Sequence, residues 1–187
     1  SEKSDEERYQ TVYSDKPGSV AAPTAGLHFT NELIRDLKLN GVLTTSLELK
    51  ISYGTFSPVT EEQVAKKKLH PENYNLSDAS AKILDKQKSL NQRIISIGTT
   101  TLRVMESAFD IKNNIFKSGE GSTDLFVFPD DKIHSIDALV TNFHLPKSSL
   151  LLLVSAFAGK ELIQKAYCKA IEDKLRFFSY GDAMLIL

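Results

Sequence analysis

Apolar residues recur at helical spacing in several stretches of the chain, and most of these stretches follow a residue that can cap a helix. In the first half, Thr30, Thr60 and Ser77 are the predicted caps, because a hydroxyl before a helix accepts a hydrogen bond from its first turn. Thr60 together with Gln63 also fits a capping box. In the second half, the spacing predicts helices over 99–109, 149–158 and 161–174.

Short apolar runs and alternating segments predict the strands. These lie at 42–52, 94–97, 125–128, 138–141, 176–179 and 183–187. Strands that alternate with helices through short connections favour an α/β fold with a mainly parallel sheet and surrounding helices. The residues alone are compatible with either a barrel or an open sheet. Both folds place functional side chains in loops after the carboxyl ends of strands.

Composition narrows the class of protein. The 187 residues are 41% hydrophobic and 25% charged, which suits one folded domain rather than a disordered chain. A net charge of −1 gives no overall sign of a nucleic-acid partner, so RNA binding would require a local basic patch. The single cysteine excludes a disulfide within the chain and favours the cytoplasm. The longest apolar run, 150–158, is shorter than the ~20 residues that span a bilayer, so no membrane partner is expected.

Four predicted loops collect polar side chains that suit chemistry. The candidates are Thr24 and His28 in 22–29, Thr99, Thr100 and Arg103 in 98–103, Asn142, His144 and Lys147 in 141–149, and Tyr180 and Asp182 in 178–183. A glycine and hydroxyls at a helix start can bind an anion or a ribose, because free N–H groups point into the loop. Each loop also has a structural interpretation, such as a hydrogen-bonded histidine, a threonine cap, an Arg103–Glu106 pair or a turn aspartate.

Several common site motifs are missing from the sequence. It contains no glycine-rich dinucleotide fingerprint after a strand, no phosphate-binding Gly-Lys-Ser/Thr loop and no close histidine pair that suggests a metal. The residues therefore predict an α/β enzyme whose site is built from loops rich in Thr, Asn, His and Lys. The bare residues do not identify the reaction.

Long ordered blocks of the chain share their residues with one known family. The three longest blocks are PGSVAAPTAGLHFT at 17–30, DALVTNFHLPKS at 137–148 and RFFSYGDAM at 176–184. Shorter matching blocks lie at 9–13, 54–56, 98–100, 123–126 and 154–159, with Arg103, Glu106 and Ser107. Together these blocks resemble the S-adenosylmethionine:tRNA ribosyltransferase-isomerases of queuosine biosynthesis. The sequence departs from that family at Lys50, where the family often has a histidine.

The resemblance implies a fold and a place within it. The family fold is a barrel-like α/β domain that carries an inserted β-rich domain, and family chains are longer than this one. Residues 1–187 would then form the C-terminal part of the α/β catalytic domain, a partial barrel without the inserted domain. A partial barrel leaves strand edges uncovered, which puts the activity of the chain alone in question.

The resemblance also implies an activity and its partners. The family moves the ribosyl group of S-adenosylmethionine, as substrate rather than cofactor, to 7-aminomethyl-7-deazaguanine at the wobble position of tRNA. The products would be epoxyqueuosine, adenine and methionine, formed by a cytoplasmic monomer without a metal. The alternative is a non-catalytic fragment that binds tRNA or S-adenosylmethionine.

That chemistry assigns expected roles to the candidates. His28 and His144 suit proton transfer, since unperturbed imidazoles titrate near neutrality. Substrate binding is expected from the remaining loop candidates, joined by one further residue, Asp124. A base in an anticodon loop would stack on an aromatic ring, for which Phe143, Phe178 and Tyr180 are candidates and core packing is the alternative.

Overall fold

The computed structural model describes residues 9–14, 22–50 and 59–187. A 3₁₀ helix, Thr24–His28, precedes the α-helices. These are α1 (Asn31–Leu39), α2 (Glu61–Lys66), α3 (Asp78–Ser89), α4 (Thr99–Ala108), α5 (Ser149–Ala158) and α6 (Lys160–Glu172). The strands are β1 (Glu48–Lys50), β2 (Lys68–Leu76), β3 (Ile95–Ile97), β4 (Phe109–Asp110), β5 (Ile115–Phe116), β6 (Gly119–Leu125), β7 (Ala138–Asn142) and β8 (Ala183–Ile186).

The predicted helix caps are confirmed. Thr30 accepts a hydrogen bond from the Leu33 amide at the start of α1, and Ser77 caps α3 in the same way. Thr60 and Gln63 form both halves of a capping box at α2. At the end of α1, Gly41 has φ 81°, which glycine adopts at little cost. Local hydrogen bonding therefore fixes where these helices begin and end.

An antiparallel sheet forms from strands in the order β1-β2-β6. In its register, Tyr74 of β2 lies opposite Gly121 of β6. A Cβ atom at Gly121 would lie 2.5 Å from the Tyr74 ring, so the absence of a side chain there lets the ring pack across the strand. The Tyr74 ring therefore requires a glycine at the opposite position of β6, which favours this register of the two strands.

A second sheet has the order β3-β7-β8. Strands β3 and β7 are parallel, and β8 is antiparallel to β7. Strands β4 and β5 form a separate antiparallel hairpin. Residues of α4, β7 and α5 meet in the core, where Leu102, Leu139 and Val154 are completely buried.

The expectation of a mainly parallel sheet is wrong. Among the strands that the structure describes, β3 and β7 form the one parallel pair, and no described sheet closes into a barrel. The fold is mixed α/β. The antiparallel sheet was missed because β2 carries a proline and alternates polar with apolar residues irregularly, while β6 contains two glycines.

Other strand predictions need correction. The predicted strand 42–52 is observed at Glu48–Lys50, and 51–52 lie outside the described residues. Of the predicted strand 125–128, Leu125 ends β6 and 126–128 lie beyond it. Residues 176–179 are not a strand but lead into a turn. No helix in the described part of the chain is both long and apolar enough to cross a membrane.

Candidate functional site

The carboxyl ends of the two parallel strands bring two of the predicted loops together. Ile97 at the end of β3 pairs with Val140 of β7, and the Gly98 amide donates to the Val140 carbonyl at 2.8 Å. Thr99 and Thr100 begin α4 directly after Gly98. The loop 98–100 therefore adjoins the last residues of β7, as expected for neighbouring parallel strands.

Asn142, the last residue of β7, joins two further loops through its amide. Its Oδ1 accepts a hydrogen bond from Thr24 Oγ1 at 2.8 Å, and its Nδ2 donates to the Gly181 carbonyl at 3.3 Å. His28 Nε2 lies 3.1 Å from the same carbonyl and 3.4 Å from Asn142 Nδ2. We call Thr24, His28, Asn142 and Gly181 the Asn142 cluster.

The Gly181 carbonyl selects the protonation of the His28 ring. A carbonyl only accepts, so the contact of 3.1 Å requires a hydrogen on Nε2. Asn142 Nδ2 is then a close neighbour of Nε2 and its hydrogen bond goes to the carbonyl. In the neutral ring this leaves the lone pair on Nδ1. Nδ1 is therefore the nitrogen of His28 that can take up a proton.

The turn that supplies Gly181 is held by Asp182. The Asp182 carboxylate accepts from the Arg176 amide at 2.7 Å and from Arg176 Nη2 at 3.2 Å. These hydrogen bonds, with the Arg176 and His28 charges as smaller contributions, lower the pKa of the Asp182 carboxyl. Asp182 thus shapes the turn, and its role in substrate binding stays a prediction.

A cavity of about 240 Å³ lies beside the Asn142 cluster and is lined by Leu27, His28, Ser179, Tyr180 and Gly181. Both His28 and Tyr180 are exposed to solvent. Small-molecule pockets typically enclose roughly 300–1,000 Å³. The cavity therefore has room for part of a nucleoside-sized ligand, with the polar edge of His28 on its wall.

His144 has a different environment from His28. Its ring is 8% exposed, and Nε2 lies 3.0 Å from Thr141 Oγ1. Its amide donates to Tyr167 Oη at 2.7 Å. Burial lowers the pKa of His144 to about 4, because a charged ring would lose its hydration. His144 is therefore neutral at neutral pH, and its catalytic role stays a prediction.

Acid should destabilise the protein through His144. Between about pH 6.5 and 4 the unfolded chain binds a proton on this residue that the folded chain does not, so the free energy of unfolding falls as pH falls. At ~1.4 kcal/mol per pKa unit the loss approaches roughly 3 kcal/mol. Urea unfolding at pH 7.5 and pH 4.5 would measure it. His144→Gln should lose less stability over this range than His134→Gln, whose side chain is exposed; equal losses would contradict the assignment.

Arg103 and Asp124 lie in ion pairs of the antiparallel sheet. Arg103 Nη1 contacts Glu72 Oε2 at 2.8 Å, and Arg103 Nε donates to the Leu125 carbonyl at 3.0 Å. Burial lowers the pKa of the Arg103 guanidinium, and Glu72 partly offsets this. Asp124 pairs with Lys68 at 2.6 Å on the surface. These contacts favour a structural role for both residues.

The remaining candidates of the loops 98–103 and 141–149 differ in burial and contacts. Glu106 accepts from the amides of His134 and Ser135, so the alternative Arg103–Glu106 pair is wrong. Lys147 is exposed and has φ 62°. Thr99 is buried and Thr100 half-buried at a helix start that no side chain caps, so the threonine-cap alternative is also wrong. The structure thus brings together Thr24, His28, Asn142, Tyr180 and the turn made by Asp182.

The sequence does not reveal one member of this arrangement, nor the buried partner of Arg103. The Gly181 carbonyl holds both His28 and Asn142, but a backbone oxygen leaves no mark on the sequence beyond the glycine itself. A Cβ at Gly181 would lie 2.5 Å from the Arg176 carbonyl oxygen, so only glycine fits the turn. Glu72 was overlooked because its partner is distant in sequence. Within the described residues no cluster of three His, Cys, Asp or Glu side chains could hold a metal ion.

Comparison with known proteins identifies the family. A family model described as queuosine biosynthesis protein matches residues 1–186. The S-adenosylmethionine:tRNA ribosyltransferase-isomerase of Treponema denticola is 50% identical over 183 residues, which are 98% of this chain and 53% of that protein. The enzyme of the same name from Rickettsia bellii is 50% identical over 185 residues, or 99% of this chain and 52% of that protein.

A solved structure agrees with these relatives. The crystal structure of S-adenosylmethionine tRNA ribosyltransferase from Thermotoga maritima superimposes with a TM-score of 0.70 and 40% identity, covering 88% of this chain and 51% of that chain. The chain spans about half the length of the curated relatives it matches. With the matched residues running through the Asn142 cluster and both parallel strands, the chain belongs to the queuosine biosynthesis protein family.

Proposed function

We propose that this chain is the C-terminal part of an S-adenosylmethionine:tRNA ribosyltransferase-isomerase. It would act on tRNA that carries 7-aminomethyl-7-deazaguanine at the wobble position and form epoxyqueuosine, adenine and methionine. One observation carries the proposal: the Asn142 cluster orients an exposed histidine on the wall of a cavity. The names of the relatives contain S-adenosylmethionine and tRNA, whereas the modified base and the products are what the family resemblance implies.

The reaction sets clear demands on proton transfer. The sulfonium makes the C5′ hydrogens acidic, so a base can remove one and form an ylide. Adenine accepts a proton as its bond to C1′ breaks, and the neutral aminomethyl nitrogen forms the new bond to C1′ and loses a proton. The C5′ carbanion of the ylide then bonds to C1′ as the bond from C1′ to the ring oxygen breaks. That oxygen closes the epoxide on C5′, which breaks the bond from C5′ to sulfur and expels methionine. Overall, one proton is released, because the sulfonium cation becomes neutral methionine.

His28 is the residue best suited to move these protons. Its Nε2–H donates to the Gly181 carbonyl, so Nδ1 is the basic nitrogen. The carbonyl also stabilises the ring once Nδ1 has taken up a proton, because it accepts from the cation more strongly than from the neutral ring. Asn142 and Thr24 hold the loops of His28 and Gly181 together through their hydrogen bonds, so they act as positioning residues.

The remaining predicted binding residues fit the substrate's polar ends. Among the described residues, the glycine that begins α4 offers no side-chain cap to the first amides, which suits the methionine carboxylate or a ribose hydroxyl near Thr99 and Thr100. Lys147, exposed on the loop after β7, suits a phosphate of the tRNA. The rest of the binding site would come from the other half of the enzyme, a barrel-like domain with its β-rich insertion, in a cytoplasmic monomer.

The direct test uses the complete protein rather than this segment. Incubation with S-adenosylmethionine and tRNA carrying the aminomethyl base should release adenine and yield epoxyqueuosine, detected by mass spectrometry of the nucleosides. The same tRNA carrying unmodified guanine is the matched control and should stay unchanged. RNA binding without any adenine release would contradict the enzyme and support the alternative of a tRNA-binding fragment.

A further inference from the structure

Phe178 lies in an unusual backbone conformation on the turn that carries Gly181. Its φ is 72°, in the left-handed region that residues with a Cβ rarely adopt. Its side chain is nevertheless 54% exposed, so burial of the ring does not compensate for the backbone strain. A strained conformation that is held without a packing benefit often marks a functional position.

Hydrogen bonds from three sides hold Phe178 in this conformation. Its amide donates to the Phe143 carbonyl at 2.9 Å, and its carbonyl accepts from the Gly181 amide at 3.0 Å. The Asp182 amide donates to the Arg176 carbonyl at 2.8 Å and closes the turn. The ring is therefore displayed by a fixed backbone, which reduces the entropy lost when a ligand binds to it.

Tyr180 is the second exposed aromatic residue of the same turn. It is 56% exposed and lines the cavity next to His28, and its ring lies 5.4 Å from that of Tyr9. The neighbouring aromatic residues behave differently: Phe143 and Phe177 pack against Tyr167 in the interior. Core packing is thus the correct interpretation for Phe143, whereas Phe178 and Tyr180 are available to a ligand.

We propose that Phe178 and Tyr180 form a stacking surface for an unpaired nucleobase of the RNA substrate. The inference rests on the proposed function and extends it to the contact that holds the RNA loop. Exposed aromatic rings on a rigid support are how proteins bind bases of single-stranded RNA. Phe178 does not line the cavity beside His28, so it faces a base that remains outside rather than the reacting nucleoside.

Phe178→Gly provides a clean test, because glycine adopts positive φ freely and the fold should be retained. Binding of an anticodon stem-loop RNA to the complete protein should weaken about 5- to 150-fold, the equivalent of ~1–3 kcal/mol per stacked base. Tyr180→Leu should weaken RNA binding similarly, whereas Phe178→Tyr, which keeps an aromatic ring, should bind RNA like the wild type. Ile171→Ala, at an exposed position on α6, is the matched control and should bind normally.

The affinity for S-adenosylmethionine alone distinguishes the two sources of a base. It should stay within twofold in Phe178→Gly; a loss there with unchanged RNA binding would mean that the ring stacks on adenine and would overturn the inference. Unchanged affinity for both ligands would overturn it too. Turnover by the wild-type protein is measured separately. If the wild type is inactive but Phe178→Gly still weakens RNA binding, the result contradicts the proposed enzyme and supports the stacking surface.

Discussion

Replacing Glu72 by glutamine should lower the free energy of unfolding by about 3–5 kcal/mol, because it leaves the Arg103 cation buried without its counter-charge. The two side chains are 0% and 3% exposed, respectively, and 2.8 Å apart. Arg103 Nη2 is buried and has no hydrogen-bond partner in the described part of the chain, so the guanidinium depends heavily on Glu72. Urea unfolding of the complete protein would measure the change.

A surface pair of the same sheet is the control. Lys68 of β2 and Asp124 of β6 lie 2.6 Å apart, but both are well exposed. Asp124→Asn should therefore cost about 0–1 kcal/mol. If Glu72→Gln costs no more than this, the buried pair is not structural and Arg103 returns as a candidate ligand for the substrate. Replacing both Glu72 and Arg103 by apolar residues should cost less than Glu72→Gln alone.

His28→Asn should reduce the rate of adenine release by about 10²–10⁴-fold, the usual contribution of a general acid or base. Asparagine keeps a polar group of similar reach but cannot take up a proton near neutral pH. Because His28 is exposed, the free energy of unfolding should change little. Release of adenine from S-adenosylmethionine in the presence of the modified tRNA is the measurement.

Two variants separate proton transfer from positioning. Asn142→Ala removes the bond to the Gly181 carbonyl but leaves the imidazole, so activity should fall less and keep its dependence on pH. His28→Asn, by contrast, should change the pH dependence of the residual activity as well as its rate. His134→Asn, in the loop before β7, should retain full activity. An active His28→Asn protein with the wild-type pH profile would exclude His28 from proton transfer.

The predictions that held are those in which a local interaction decides the structure. Helix starts at Thr30, Thr60 and Ser77 follow from hydroxyl caps within three residues, and each is visible in the sequence. Strand β2 failed this test because one of its two buried residues, Glu72, is charged, and a buried charge depends on a partner from another element. The parallel prediction failed for the same reason, since strand pairing is decided between distant segments.

The candidate site shows the same division. Loops at the ends of β3 and β7 were predictable, because parallel strands direct their carboxyl ends to one edge. The separation of the two histidines was not: an exposed ring and a buried ring differ only in what surrounds them, and the pKa of about 4 at His144 follows from burial alone. The sequence shows which side chains can do chemistry, but it does not show whether each one is buried or exposed.

The amide of Asn142 has a consequence for how the protein is made. It joins Thr24, 118 residues earlier in the chain, to Gly181, 39 residues later. During synthesis the histidine loop therefore leaves the ribosome long before the glycine turn that orients it. The His28 ring would be oriented only after the turn with Gly181 has folded against it. A nascent or truncated polypeptide that lacks this turn would therefore carry the imidazole without the contact that orients it.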